Sequence, residues 1–233
     1  MRALLFDLDG TLTRSGGAGS RALGEAVHAR PRAGAELRKM RLDGMTDRAI
    51  ARALLAAEGN QAIALDRRMR EVTEAEIDTV LVRYLDALAR ECGRNAYQAL
   101  PGVAALLQRL RARADVLLGL CTGNLARGAE LKLTCAGLWG GFRFGGYGSD
   151  AEPRAQIVRA AWGRARELGA TEALVIGDTP RDVLAAHEAG LPVCAVATGR
   201  FTVHELAEHG AELVLPGFDD VEQTERLLLG PLR

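Results

Sequence analysis

Asp7 and Asp9 stand two residues apart at the end of a short apolar run, Ala3-Leu4-Leu5-Phe6, and Gly10 follows them directly. The run has the length and the turn-flanked setting of a buried strand. Strand side chains alternate between faces, so both acids share a face only if the strand continues through Asp9. Gly10 points instead to a turn. Two carboxylates at the carboxyl end of a buried strand repel each other unless a cation or protons hold them together. A second acidic pair closes Val175-Ile176-Gly177-Asp178-Thr179-Pro180-Arg181-Asp182. A helix starting there, with its positive end toward the acids, explains Asp182 well and Asp178 poorly. Between the pairs, Leu118-Gly119-Leu120-Cys121-Thr122-Gly123-Asn124 reads as a strand, a polar turn and a helix start. A hydroxyl, an unhindered backbone amide and a helix amino terminus make an anion site. Asn124 acting as a plain helix cap is the competing reading.

These groups need elements to hold them. Apolar runs at Val116 to Cys121, Ala173 to Ile176, Val193 to Ala197 and Leu213 to Leu215 alternate with helical stretches. That alternation predicts right-handed βαβ units, a Rossmann-like parallel sheet with helices on both faces. Ligands of such sheets bind outside the carboxyl ends of the strands, where the acids and the polar turn fall. The Gly-rich run from Gly140 to Gly148 reads as a loop. Pro101 suits the first turn of the helix after Leu100-Pro101-Gly102-Val103. The segment from Arg14 to Gly19 reads as a hinge. From about Ser20 to Glu91 the pattern is helical and holds no convincing strand. Ser20 to Ala29 is amphipathic, and Thr46-Asp47 precedes a helix from Arg48 to Glu58. A longer helical stretch runs from about Leu65 to Cys92, with Ile77, Val80, Leu81, Tyr84, Leu85 and Leu88 at spacings of three and four.

The 233 residues are 48% hydrophobic and 26% charged, as in a soluble globular chain of one domain, or a core plus a smaller one. Thirty basic residues balance thirty acidic ones, which speaks against nucleic acid or an anionic membrane as a partner. Lys39 and Lys132 are the only lysines, a bias we read as compositional. The four cysteines show neither metal-ligand spacing nor a disulfide pattern and are expected to be buried free thiols. The acids interrupt the first apolar run too early for a signal peptide, and no stretch has the roughly 18 apolar residues of a membrane span. A cytoplasmic location is the expectation. The histidines and the two tryptophans read as surface or packing residues.

The stretch Asp7-Leu8-Asp9-Gly10-Thr11 resembles the Asp-x-Asp-x-Thr signature of the haloacid dehalogenase superfamily, most of whose members are phosphatases. The later motifs follow in family order, and the resemblance covers nearly the whole chain. It implies that Asp7 is a nucleophile forming an aspartyl-phosphate and that Asp9 is general acid, then base. It implies that Thr122, Gly123 and Asn124, with Gly10, bind phosphate. Asp7, the carbonyl of Asp9 and Asp178 are the implied magnesium ligands, with Asp182 supporting them. The helical block resembles an inserted α-helical cap, which divides the chain into a core of residues 1–15 and 97–233 and a cap of residues 16–96.

The family's third motif is a Lys, and the matching region, Phe144 to Arg154, has none. Arg154 is the nearest cation; its permanent charge can bridge a carboxylate and a phosphate, as in some phosphoglycolate-phosphatase-like members. That branch is the best match, with magnesium as cofactor and a small phosphorylated metabolite as substrate. A phosphosugar mutase and a non-catalytic phosphate-binding regulator share the scaffold. A dehalogenase has no need of Asp9. Arg14, Arg41, Thr46 and Asp47 are candidates to reach the leaving group from the cap, although Thr46 and Asp47 also suit a helix cap.

Overall fold

The structure is a computed structural model that describes residues 1–59, 71–94 and 97–231. Its strands are β1 (Arg2–Phe6), β2 (Thr13–Arg14), β3 (Gln98–Ala99), β4 (Val116–Thr122), β5 (Phe144–Tyr147), β6 (Glu172–Gly177), β7 (Val193–Val196) and β8 (Leu213–Leu215). The helices are α1 (Ala18–Ala26), α2 (Pro31–Leu37), α3 (Asp47–Gly59), α4 (Glu74–Cys92), α5 (Val103–Arg111), α6 (Ala126–Cys135), α7 (Arg154–Glu167), α8 (Pro180–Glu188), α9 (Val203–Glu208) and α10 (Val221–Leu229). Six strands form one sheet in the order β5-β4-β1-β6-β7-β8, every pair parallel. The expected α/β class with a parallel sheet is what the chain adopts.

Strand β1 lies inside this sheet, paired on both edges, and Ala3 through Phe6 are fully buried. Sheets covered on both faces need continuous apolar runs, which is why these strands are legible in the sequence. Alternation sends Leu4, Phe6, Leu118, Leu120, Leu174 and Ile176 to one face, under α5 and α10. Ala3, Leu5, Leu117, Cys121 and Val175 pack on the other, against α7 and α8. The register aligns Phe6 with both Leu120 and Ile176, so the three strands end side by side. Their next residues build the site.

Helices α1 to α4 pack around a separate apolar cluster that includes Leu23, Ile50, Leu54, Ile77, Leu81 and Leu88. They join the sheet unit at the antiparallel pair β2–β3, where Thr13 faces Ala99 and Arg14 faces Gln98. The stretch read as a hinge is therefore partly ordered: Arg14 is in a strand and α1 starts at Ala18. Helix α2 has no counterpart in the sequence reading. The start of the long helical stretch, from Leu65, lies outside the described residues, and α4 begins at Glu74 behind a capping box from Thr73. Pro101 sits in the turn before α5, whose cap is Gly102. Two of the thiols, Cys121 and Cys194, are buried; Cys92 and Cys135 are half-buried, and all four are free.

The Gly-rich run expected as a loop holds a turn of 3-10 helix at Trp139–Gly141 and the edge strand β5. Four of its glycines, Gly141, Gly145, Gly146 and Gly148, serve close packing. A Cβ on Gly146 would lie 2.2 Å from the Ile157 carbonyl oxygen and 3.0 Å from the Ala161 Cβ, both on α7. Helix α7 rests directly on the strand backbone there. Gly146→Ala should therefore cost roughly 1–3 kcal/mol, the usual range for overpacking. Gly140→Ala, which meets no atom within 4 Å, should leave the urea midpoint nearly unchanged and serves as the control.

Candidate active site

Strand β1 stops at Phe6, but the Asp7 amide still donates to the Ile176 carbonyl at 2.8 Å, which holds the acid against β6. The chain then turns tightly. The amides of Leu12 and Thr13 both donate to the Leu8 carbonyl, and Gly10 takes a φ of 86°, a left-handed conformation suited to glycine. Space makes the same demand, since a Cβ on Gly10 would fall 2.3 Å from Asp178 Oδ2. The turn leaves Asp7 buried, with its side chain 7% exposed, while that of Asp9 is 44% exposed. Both acids line one cleft of about 500 Å³ between the carboxyl end of the sheet and the helical unit, a volume suited to a small ligand.

Three carboxylates converge behind the turn. Oxygens of Asp7, Asp178 and Asp182 lie within 4.8 Å of one another, all buried. Asp178 directly follows β6, and its Oδ1 accepts from the Thr11 hydroxyl at 3.0 Å. Asp182 caps α8 from its first turn: its Oδ2 accepts from the Thr179 amide at 3.0 Å and hydroxyl at 2.7 Å. Arg154, the first residue of α7, brings the countercharge. Its Nε donates to Asp182 Oδ1 at 2.8 Å, its Nη2 bonds the same oxygen, and Nη2 lies 3.0 Å from Asp7 Oδ1. Arg154 also donates to the Gly44 carbonyl. The guanidinium thus stands beside the first acid, where the sequence placed it.

Burial dominates the acidities. It raises the Asp7 carboxyl to about 6, against the pull of Arg154 and with the push of Asp182 and Asp9. Asp178 is raised well above the carboxylate range by burial, then by Asp182 and Asp7, although Thr11 favours its ionised form. One guanidinium among three buried acids leaves negative charge uncompensated, and hard oxygens suit a divalent cation. The residues fit such an ion. Among the described residues, Arg154 meets Asp7 at Oδ1 and Thr11 meets Asp178 at Oδ1, whereas Asp182 is engaged at both oxygens, by Arg154 and Thr179.

The polar turn after β4 completes the floor. Asn124 does not cap α6, whose cap residue, Leu125, makes no side-chain bond. Its amide nitrogen donates to Thr122 Oγ1 and to Asp9 Oδ2, each at 2.9 Å. Its Oδ1 accepts from Lys132 Nζ, which also reaches Asp9 Oδ2 at 2.5 Å. Lys132 is buried on α6 with its ammonium 5.4 Å from the centre of the Tyr97 ring. Burial alone would lower its pKa, but Asp9, Tyr84, Tyr97 and Asp47 raise it well above the usual value, so it remains an ammonium. The sequence reading passed over this residue. A lysine on the buried face of a helix, in a chain with one other lysine and 28 arginines, is the signal that could have marked it.

The four leaving-group candidates separate. Arg14 is exposed at the cleft edge, while Arg41 is exposed and does not line the cleft. Thr46 is buried and caps α3, its hydroxyl accepting from the Ala49 amide at 3.2 Å. Asp47 lines the cleft and ties the two units together. Its amide donates to the Gly123 carbonyl at 2.9 Å, and its Oδ2 accepts from the Leu125 amide at 2.9 Å. A Cβ on Gly123 would come 2.6 Å from the Met45 carbonyl oxygen, so the helical unit lies on the polar turn itself.

With this geometry in view, relatives can be weighed. A family model of haloacid dehalogenase-like hydrolases matches residues 1–190. The chain belongs to that family and is an enzyme of the hydrolase class. It is 31% identical over 230 residues to a phosphoglycolate phosphatase of Rhodospirillum rubrum, spanning 94% of this chain and 87% of that protein. In fold it is similar to a hydrolase from Pseudomonas syringae, with a TM-score of 0.75 and 24% identity over 99% of this chain and 100% of the other. It is also similar to a putative β-phosphoglucomutase from Bacteroides vulgatus, with a TM-score of 0.70 and 21% identity over 100% and 90% of the two chains. Among the described residues no helix is long and apolar enough to cross a membrane.

Asp47 yields a test with a sign. Burial raises its carboxyl to about 6, against the pull of Lys132 and the Leu125 amide; an unfolded Asp titrates near about 3.9. Between those values the folded state holds the extra proton, so stability falls as pH rises through the window and the penalty is complete above about 6. Asp47→Asn keeps an acceptor for the Leu125 amide and cannot ionise. Its stability relative to the native chain should rise between about pH 4 and pH 7 in paired melting curves. A difference independent of pH would mean that Asp47 titrates normally.

Proposed function

We propose that this chain is a magnesium-dependent phosphatase that hydrolyses a small phosphate monoester, phosphoglycolate-like or a sugar phosphate, through an aspartyl-phosphate on Asp7. The observation that carries this reading is the pairing of two carboxylates with different surroundings in one cleft. Asp7 is buried beside a guanidinium, and Asp9, two residues on, is held open to the cleft by Lys132 and Asn124. The 31% identity to a phosphoglycolate phosphatase supports it.

In this reading Asp7 attacks phosphorus, and Asp9 gives its proton to the departing ester oxygen. Asp9 then takes a proton from the water that releases phosphate from Asp7. Thr122, the Gly123 amide and Arg154 bind the non-bridging phosphate oxygens, Asn124 holds Thr122 and Asp9 beside them, and the Gly10 turn shapes the approach. Asp7, the Asp9 carbonyl and Asp178 would hold magnesium, with Asp182 fixing Arg154 beside them. The ion would offset the charge of phosphate against the attacking carboxylate. The helical unit acts as a cap of residues 16–96 over a core of residues 1–15 and 97–233. It keeps bulk water from the intermediate and supplies the contacts that choose the ester. A cytoplasmic setting suits the free thiols.

Phosphate release from a panel of small esters, with magnesium and with chelator, tests this. Release should require the metal and favour one ester. Asp7→Asn should abolish turnover, and Asp9→Asn should lower it by about 100- to 10,000-fold, the usual worth of a general acid–base. Asp7→Asn protein that kept native activity would refute the nucleophile. Transfer between sugar positions without release would point to a mutase, and binding of phosphate without turnover to a regulator.

A further inference from the structure

Lys132 and Asp9 are 123 residues apart in sequence and differ sharply in freedom. The lysine side chain is 4% exposed and the aspartate side chain 44%. Lys132 is anchored on α6, with its ammonium near the Tyr97 ring and bonded to Asn124 Oδ1. Asp9 stands on a turn at the mouth of the cleft. Among the described residues, Lys132 Nζ at 2.5 Å and Asn124 Nδ2 at 2.9 Å are the hydrogen-bond donors to its carboxyl group, and both reach the same oxygen, Oδ2. The three side chains form a closed triangle. A half-exposed carboxyl on such a turn would otherwise turn freely about its side-chain bonds.

We infer that Lys132 is the positioning residue for proton transfer: with Asn124 it fixes Asp9 Oδ2, so that Oδ1 meets first the leaving oxygen and then the attacking water. This rests on the phosphatase reading. In the first step a bond forms between Asp7 and phosphorus while the bond from phosphorus to the ester oxygen breaks. The bonding pair stays on that oxygen, which takes the Asp9 proton. In the second, water oxygen bonds phosphorus, its proton passes to Asp9, and the Asp7 carboxylate departs. Both steps need Asp9 in one place. Arg154 pairs instead with Asp7 and Asp182.

A mere charge-balancing role would slow all esters alike. Positioning gives a different signature, because 4-nitrophenolate departs without a proton and an alkoxide does not. Lys132→Met should cut steady-state turnover of glycerol phosphate on the order of 100-fold, the cost of misplacing a reacting group by about 1 Å. With 4-nitrophenyl phosphate the same variant should release about one equivalent of nitrophenolate rapidly and then turn over slowly, the mark of an accumulating covalent intermediate. Glycerol phosphate should give no such burst. Lys132→Met added to Asp9→Asn should slow the enzyme no further, since coupled residues are not additive. Equal losses for both esters without a burst, unchanged turnover, or losses that multiply in the double variant would overturn the assignment. Melting curves monitor folding, and Lys132→Gln takes the place of the Met variant if that one unfolds below the assay temperature. Where the native chain prefers another alkyl ester of the panel, that ester takes the place of glycerol phosphate; a native chain inert toward every ester of the panel would overturn the phosphatase reading, and this inference with it.

Discussion

The site depends on one electrostatic arrangement, three buried acids sharing a single guanidinium. Asp7, Asp178 and Asp182 come from the ends of β1 and β6 and the start of α8, and nothing local keeps them apart. Arg154 spans two of them because its fork is planar and carries several donors. A lysine offers one point charge and could not reproduce that span in the same way. The sheet register supplies the acids and α7 supplies the cation, and the glycine-lined contact of α7 with β5 sets where that cation sits. Electrostatics at the site and packing behind it are thus one problem. What charge remains uncompensated is what a divalent ion would meet.

The second arrangement joins the helical unit to the sheet. Several contacts cross between them, and they differ in worth. The ion pair of Arg52 with Glu152 is half-buried and still within reach of solvent, where such pairs contribute little. The Asp47 carboxylate is buried on the Leu125 amide, and a buried acceptor with a matched donor counts for more. That bond ends at the turn carrying Thr122 and Asn124. The position of the helical unit and the shape of that turn are therefore linked through one residue. Lys132 lies in the same neighbourhood, faced by Asp9, Asp47, Tyr84 and Tyr97 from both units.

The parallel sheet was legible because its strands are covered on both faces and must be continuously apolar. The same rule hid β5, where close contact with α7 demands glycine and composition then suggests a loop. Asp7, Asp9, Asp178 and Asp182 could be found in short motifs, since each pair sits within a single turn. Arg154 could be placed from its position near the start of a helix. Lys132 could not, because its partner is 123 residues away and no local pattern links them. Arg41 illustrates the opposite limit: a cation at a plausible place in sequence stands outside the cleft lining. Asn124 suits a cap by its type and position, yet its side chain turns toward Asp9, a choice made by tertiary contacts.

The place of β1 inside the sheet has a consequence for how the protein comes to be folded. The strand that carries the first acid is made before both of its partners: Arg2 pairs with Val116 on one side and Glu172 on the other. Its backbone bonds cannot close until both distant strands exist, and loops of that span are slow to form. Until then a strand with four apolar residues in a row has no partner on either edge, the state in which unpaired strands associate with other chains. Asp7 is thus brought to its place only when strands made long after its own have arrived, and a nascent chain must keep β1 shielded until they do.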